Sequence, residues 1–318
     1  MLNRFATPIS ITSETAKLNV LNEIIRFATN YFGRSFPKPI FVPYGNKTLR
    51  DKADAATNFV HGVFYESKLF PEYTQAVLHS LIGGTGIIKV IESDTGVQYE
   101  CVLPTEVVAF DEEAVANNLR SLFHVKYVDK GVLQARYPEY APRIATVTTV
   151  DGGYVEQIKM IEGWHLPSAP GAEDGKHIIV LEPDIVLVDE PYEQDDFPFA
   201  FLNYIQSPVG FWGQGLGQIL IPYQAKINEL MRNIEANIRA GGNLKIWLQK
   251  DSGVSSDQIT NNLRGDVLVG NGPAPQHLIQ PLISTDILNH LSFLINSAWA
   301  ASRFSQATAR GEKPTGID

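Results

Sequence analysis

The chain has 318 residues, of which 44% are hydrophobic, 19% are charged and one is cysteine, with a formal charge of −9. That length allows two or three compact units with cores of their own, and the composition excludes general disorder. The single thiol, Cys101, excludes internal disulfides and cysteine-built zinc sites, and the acidic balance excludes a DNA reader that grips phosphates by displacing counterions.

From Leu21 the apolar residues Leu21, Ile24, Ile25, Ala28 and Phe32 recur every three or four positions, which predicts an amphipathic helix ending near Gly33 and Pro37. Ala53, Ala56, Val60, Val63 and Phe64 predict a second helix. After a break at Pro71, Tyr73, Val77, Leu78 and Leu81 predict a third, ending at Gly83. The pattern then changes to β-branched runs bounded by Gly, Pro and Asp: Gly86 to Ile91, Tyr99 to Leu103, Leu122 to Tyr127, Val155 to Ile161 and His177 to Val188. No helical pattern of adequate length alternates with them, so an antiparallel sheet is expected rather than a doubly wound parallel one.

Beyond Phe197 to Tyr204 lies a glycine-rich stretch, Gly210, Gly213, Gly215 and Gly217, and then the strongest helical signal. It runs through Leu216, Leu220, Tyr223, Ile227, Leu230, Met231, Ile234 and Ile238. Pro222 predicts that the regular helix starts near Ile221 or bends there. Gly241-Gly242 ends it, and Leu244 to Leu248, Asp266 to Val269 and Gln276 to Ile279 form a compact strand module. Ser284, Thr285 or Asp286 then caps a last helix through Leu288, Leu291, Leu294, Ile295 and Ala298. Residues 1–204 hold 17 Lys and Arg against 27 Asp and Glu, the rest 9 against 8, so the acidity sits in the first part. Residues 1–13 lack a secretory pattern, and no apolar run approaches the roughly 20 residues of a membrane span, so a soluble protein in the cytoplasm is expected, and the lone thiol points to a reducing compartment or to indifference to redox.

Few residues offer chemistry. Gly83-Gly84-Thr85-Gly86 connects helix to strand, the reverse of a phosphate-cradling loop, and reads as a tight turn. Gly213-Gln214-Gly215-Leu216-Gly217 has the spacing G-x-G-x-G, not that of a dinucleotide fingerprint, and reads as a flexible lead-in to the long helix. Asp184, Asp189, Glu190, Glu193, Asp195 and Asp196 could hold a hard cation or supply two carboxylates. They lack the fixed spacing of a calcium loop and read as a solvated loop between strands. The seven histidines, His61, His79, His124, His165, His177, His277 and His290, stand singly, without H-E-x-x-H or a G-x-S-x-G elbow, so only distant residues could build a triad. Trp164, Trp212, Trp247 and Trp299 read as core or interface anchors. No catalytic, cofactor-binding or metal residue is assigned, and no cofactor.

Several segments carry a resemblance. They are Leu81-Ile82-Gly83-Gly84-Thr85-Gly86-Ile87-Ile88-Lys89-Val90, then Leu103-Pro104-Thr105-Glu106 with Phe110-Asp111, then Ser121 to Lys126 and Tyr137-Pro138-Glu139. The last is Phe211-Trp212-Gly213-Gln214-Gly215-Leu216 with Gln224 and Ile227-Asn228. In that order they resemble the podovirus-type portal proteins of tailed bacteriophages, the head-to-tail connectors. The resemblance implies an α+β fold with a wing-like domain of helices and antiparallel sheet over 1–208 and a first stem helix with glycine-rich lead-in over 209–240. A clip-like strand module over 241–284 and a second stem helix with a loose tail over 285–318 follow. It also implies a non-enzymatic ring, a dodecamer, at one capsid vertex of the virion, assembled in the host cytoplasm. Through that ring double-stranded DNA passes non-specifically during packaging and ejection, with capsid protein, terminase and tail adaptors as partners and no membrane. Lys245 and Lys250 in the clip could graze phosphates. Because portals continue into a tunnel loop, wing helix and crown, a chain ending at Asp318 is expected to be a fragment, a split reading frame or a reduced relative. The competing expectations are another head or neck ring without a DNA channel and, less favoured, a hydrolase using Asp189 and Asp195.

Overall fold

The computed structural model describes residues 18–34, 36, 38–43, 45, 47–93, 96–115, 119–147, 156–208, 210–242, 245–247, 276–278 and 285–306. The chain divides into two compact units, one of residues 23–219 and one of residues 1–22 with 220–318.

In the larger unit, α1 (Val20–Arg34) enters from the smaller one and buries Ile24, Ile25 and Ala28 at helical spacing, as the periodicity predicts. Next come α2 (Lys47–Glu66), which buries no residue fully, and α3 (Leu69–Gly83). The break between them is not at Pro71. It lies at Ser67-Lys68, where Lys68 adopts a left-handed backbone (φ 52°), and Pro71 occupies the first turn of α3, where its missing N–H has no partner to lose.

Two antiparallel sheets follow. One has the order β2-β1-β8, from β1 (Thr85–Ser93), β2 (Gly96–Val102) and β8 (Phe199–Asn203). The other has the order β3-β4-β5-β6-β7, from β3 (Val107–Ala109), β4 (Ser121–Asp129), β5 (Gln157–His165), β6 (Lys176–Leu181) and β7 (Ile185–Pro191). The run His177 to Val188 is therefore two strands rather than one, because the Glu182-Pro183-Asp184 turn folds it back on itself. Val155 lies outside the described residues. Three short helices that the periodicity did not predict, α4 (Asp111–Val115), α5 (Lys130–Arg136) and α6 (Ala141–Thr146), are each under two turns or little more, too short for a 3.6-residue pattern to register.

Alternation in β1 assigns its two faces. Ile88 packs with Leu69 and Ala76 of α3, while Ile87 packs with Val102, Val107, Leu122, Trp164 and Phe199, joining the two sheets. A second core lies under α5 and α6, where Leu133, Ile144 and Val147 meet Ile158, Met160, Ile179 and Leu181 of the larger sheet.

In the smaller unit α7 (Leu216–Gly242) is the long helix, with its first four residues in the larger unit. It starts five residues before the predicted Ile221, with Pro222 inside it. An interior proline costs about 3 kcal/mol. Burying Leu216 and Leu220, both about 1% exposed or less, returns about 1.5–3 kcal/mol each and holds the first turns helical. Gln224, 1% exposed, is fully used: its Oε1 accepts the Leu21 N–H (3.0 Å), a free donor of the first turn of α1, and its Nε2 donates to Leu18 O (2.8 Å) and Asn228 Oδ1 (2.9 Å). β9 (Lys245–Trp247) and β10 (Gln276–Leu278) pair antiparallel, and α8 (Thr285–Ala301) buries Ala298 and Trp299. The predicted strand Asp266 to Val269 and the cap Ser284 lie outside the described residues. The fold is thus mixed helix and antiparallel sheet, of the α+β class expected.

Candidate functional site

Two features of the larger unit gather the residues singled out above. The first joins the two glycine motifs, which lie 130 residues apart in the sequence and form one junction. The Gly213 N–H donates to Thr85 Oγ1 (2.9 Å), Thr85 Oγ1 donates to Asn203 Oδ1 (2.8 Å), and the Tyr204 N–H donates to Gly84 O (3.0 Å). Ile205 and Gln214 exchange backbone hydrogen bonds beside it. A Cβ at Gly213 would stand 2.6 Å from Gly84 O, and one at Gly215 or Gly217 would stand 2.7 Å from Ile82 O. The glycines after residue 210 are therefore not a flexible lead-in. They let one backbone lie against another, the end of α3 against the start of α7, with no room for a side chain.

The second feature is a cleft of about 940 Å³ over the face of the larger sheet. Pairing register sets its floor: Trp164, His177 and Glu190 are successive partners across β5, β6 and β7, and Glu162 and Ile179 pair in the next row. From the opposite sheet Lys89 of β1, on the same face as Ile87, reaches across and pairs with Glu162 (2.5 Å). Its ammonium also sits 4.8 Å above the Trp164 ring. Trp164 stacks on His177 (5.3 Å between centroids). His177 Nε2 donates to Glu162 Oε1 (3.2 Å) and its Nδ1 donates to Glu190 Oε1 (2.7 Å).

Burial alone would raise the Glu162 carboxyl, but hydrogen bonds from His177 and Lys89 and their charges hold it down at about 2. The hydrogen bond to Glu162, seconded by Glu190, raises His177 above the ordinary histidine value, so the ring donates from both nitrogens as an imidazolium. Burial pulls the Lys89 ammonium below its ordinary value and Glu162 pulls it back. The result is a satisfied chain of alternating charges, Lys89, Glu162, His177 and Glu190, that ties the two sheets together. Periodicity did not find it. A signal was nonetheless present: Lys89 and Glu162 each interrupt an apolar strand, Ile87 to Ile91 and Met160 to Trp164, at inward positions.

The remaining predicted residues separate. Of the acidic group, Asp184 lies in the β6–β7 turn, whereas Asp189 and Glu190 belong to β7, where Asp189 pairs with Lys176 (3.0 Å) and Glu190 with His177. Only Glu193, Asp195 and Asp196 form an exposed loop, the last two on the cleft rim. Among the described residues no group of three or more His, Cys, Asp or Glu is arranged to hold a metal ion. His61 faces Pro39 O (3.1 Å), His79 faces Cys101 Sγ (3.5 Å) and His290 stacks on Phe293. Burial and nearby Glu72, Glu100 and Glu106 push the Cys101 thiol up to about 11, leaving it a thiol at neutral pH. Trp164 and Trp299 are core residues and Trp212 packs against the Trp164 cluster. The side chains of Trp247, Lys245 and His277, and all of Lys250, lie outside the described residues.

One serine, histidine and carboxylate do meet. Ser121 Oγ lies 3.0 Å from His165 Nδ1 and 3.1 Å from Glu113 Oε1. Glu113 also accepts the N–H groups of Arg120 and Ser121, so it is an ionised acceptor. The single hydroxyl proton therefore goes to Glu113 and the imidazole donates to the serine, the reverse of the proton flow that activates a nucleophile.

His124 is buried without such partners. It is 1% exposed and, among the described residues, neither ring nitrogen has a hydrogen-bond partner; the carboxylate of Glu106 is 3.7 Å away. Burial, with Lys89 and Lys126 nearby, lowers it to about 4. The unfolded chain, with histidine near 6.5, therefore takes up this proton first as pH falls, and about 3 kcal/mol of stability is lost between pH 6.5 and 4. His124→Leu is expected to flatten that limb, which urea unfolding midpoints at pH 7 and pH 4.5 will show; equal slopes in both proteins would contradict it.

Two ion pairs of this unit, Lys89 with Glu162 and Lys126 with Glu100, join one sheet to the other. Residues 13–196, more than half of the chain, match the family described as Phage P22-like portal protein, and the chain belongs to that family. It is a structural family whose members assemble as oligomers with the capsid at the portal vertex of the virion. No curated protein matches the chain. Among the described residues no helix is long and apolar enough to cross a membrane.

Proposed function

We propose that the chain forms a homo-oligomeric ring of about twelve subunits at one capsid vertex, through which double-stranded DNA is packaged and ejected and on which terminase and tail adaptors dock. The observation that carries this reading is the family match over 13–196. In this reading residues 1–208 are the wing, 209–240 the first stem helix, 241–284 the clip and 285–318 the second stem helix with its tail. α7 supports it by its dimensions and charge. Its 27 residues reach about 40 Å at 1.5 Å per residue, and its exposed side offsets Lys226 with Glu229 (2.9 Å) instead of presenting a basic stripe. DNA slides past such a surface rather than adhering to it.

Light scattering of the purified chain, followed by negative-stain imaging, tests the proposal. A closed ring with a central hole is expected. A ring without a hole would favour a neck component that conducts no DNA, and a monomer at every concentration would overturn the assembly.

A further inference from the structure

Among the described residues, no element covers one apolar surface of the larger unit. The strap Lys38–Pro43 runs along α2, held by the Phe41 N–H on Thr57 Oγ1 (3.2 Å) and by His61 on Pro39 O (3.1 Å). It leaves Ile40 and Val42 exposed at 74% and 86%, and Tyr65 of α2, beside Lys38 at the start of the strap, exposed at 87%. Large apolar side chains exposed together in this way mark an interaction surface rather than scattered surface residues. Next to it is a groove of about 230 Å³ lined by Phe36, Lys38, His61, Phe64, Tyr65 and Phe70, with room for one large apolar side chain.

A complementary surface occurs elsewhere on the same unit. β3, a three-residue strand bonded among the described residues only to β4, with Leu103 before it and the short α4 after it, exposes Leu103, Val108, Phe110 and Val115. The charges also complement each other. Residues 38–52 carry four basic side chains and one acidic, while residues 103–115 carry four acidic and no basic ones. Glu112, two residues after Phe110, and Lys38, on the groove, are both without a charged partner in the ion pairs among the described residues.

We propose that the β3–α4 edge of one copy docks on the α2 and strap face of the next, with Phe110 entering the groove and Glu112 opposing Lys38. Two different faces meeting head to tail form a heterologous contact, the kind that propagates around a ring. Electrostatic complementarity fixes its register and partner. This inference rests on the ring proposed above and assigns its subunit contact.

Two double variants test it: Lys38→Glu with Tyr65→Glu on the groove face, and Phe110→Ser with Glu112→Ala on the edge, the second adding no positive charge that could pair with the first. Each alone is expected to fold, by its circular dichroism, and to weaken association at least tenfold, so that light scattering reads about the 35.2 kDa of one chain. An equimolar mixture retains one intact groove and one intact edge and is expected to form dimers and nothing larger. If either variant assembles like the wild type, or the mixture stays monomeric while the wild type forms rings, the face assignment falls and the ring reading stands. A wild-type chain that never associates would remove both.

Discussion

Gly86→Ala is expected to destabilise the larger unit by about 3 kcal/mol or more, because the added carbon has nowhere to go. It would overlap the carbonyl oxygen of Ala76 and stand 2.6 Å from the carbonyl carbon and 3.1 Å from the Cα. These are backbone atoms of α3 and cannot rotate aside as a side-chain tip would, and overpacking of this kind costs about 1–3 kcal/mol even where side chains can shift. Gly83, three residues earlier at the end of α3, is the control. A Cβ there meets nothing within 4 Å, so Gly83→Ala is expected to be neutral or to stabilise by up to about 1 kcal/mol through helix propensity. Urea unfolding of the two variants reads the contrast directly. Equal midpoints would mean that α3 can move off β1.

Glu162→Ala is expected to cost about 3–5 kcal/mol, since it leaves the Lys89 ammonium buried without its counter-charge. Lys89→Met combined with Glu162→Leu removes both charges and is expected to recover most of that loss, a coupling that a double-mutant cycle measures. The sign with pH follows from the two shifts. Glu162, depressed to about 2, contributes stability that is complete above pH 4.5 and lost as pH falls toward 2. His177, raised, contributes stability that is complete below pH 6.5 and lost as pH rises through its folded value. The difference between wild type and Glu162→Ala is therefore expected to be largest between about pH 4.5 and 6.5. A difference that stays flat from pH 3 to 9 would mean that the four groups do not act as a chain.

Much of the fold was legible because it follows from local rules. The stripes of α1 and α7, the change from helical to alternating pattern after Gly83, and the glycines at the helix ends each act over a few residues, and each became the expected element. Pro71 and Pro222 misled because a proline's cost depends on what surrounds it. At Pro71 the missing N–H had no partner to lose, and at Pro222 the burial of Leu216 and Leu220 outweighed it. The short helices between strands carried too few residues for any period.

The candidate sites were less legible, for a different reason. Lys89 and Glu162 are 73 positions apart and Thr85 and Gly213 are 128, and no local pattern links such pairs. Ser121, His165 and Glu113 show the converse: distant residues with the composition of a triad did meet, and only their hydrogen-bond polarity showed that they do not activate the serine.

By itself the sequence determined the α+β class, the helical stripes and the likeness to the portal family, because these depend on side-chain periodicity and turn chemistry along the chain. Only the tertiary structure decided that two glycine motifs are one joint and that a lysine, two glutamates and a histidine form one buried chain. It alone also set an exposed apolar groove and an acidic edge on different faces of one unit. Those properties depend on which strands and helices pack together, and close packing and desolvated charge act through space rather than along the chain.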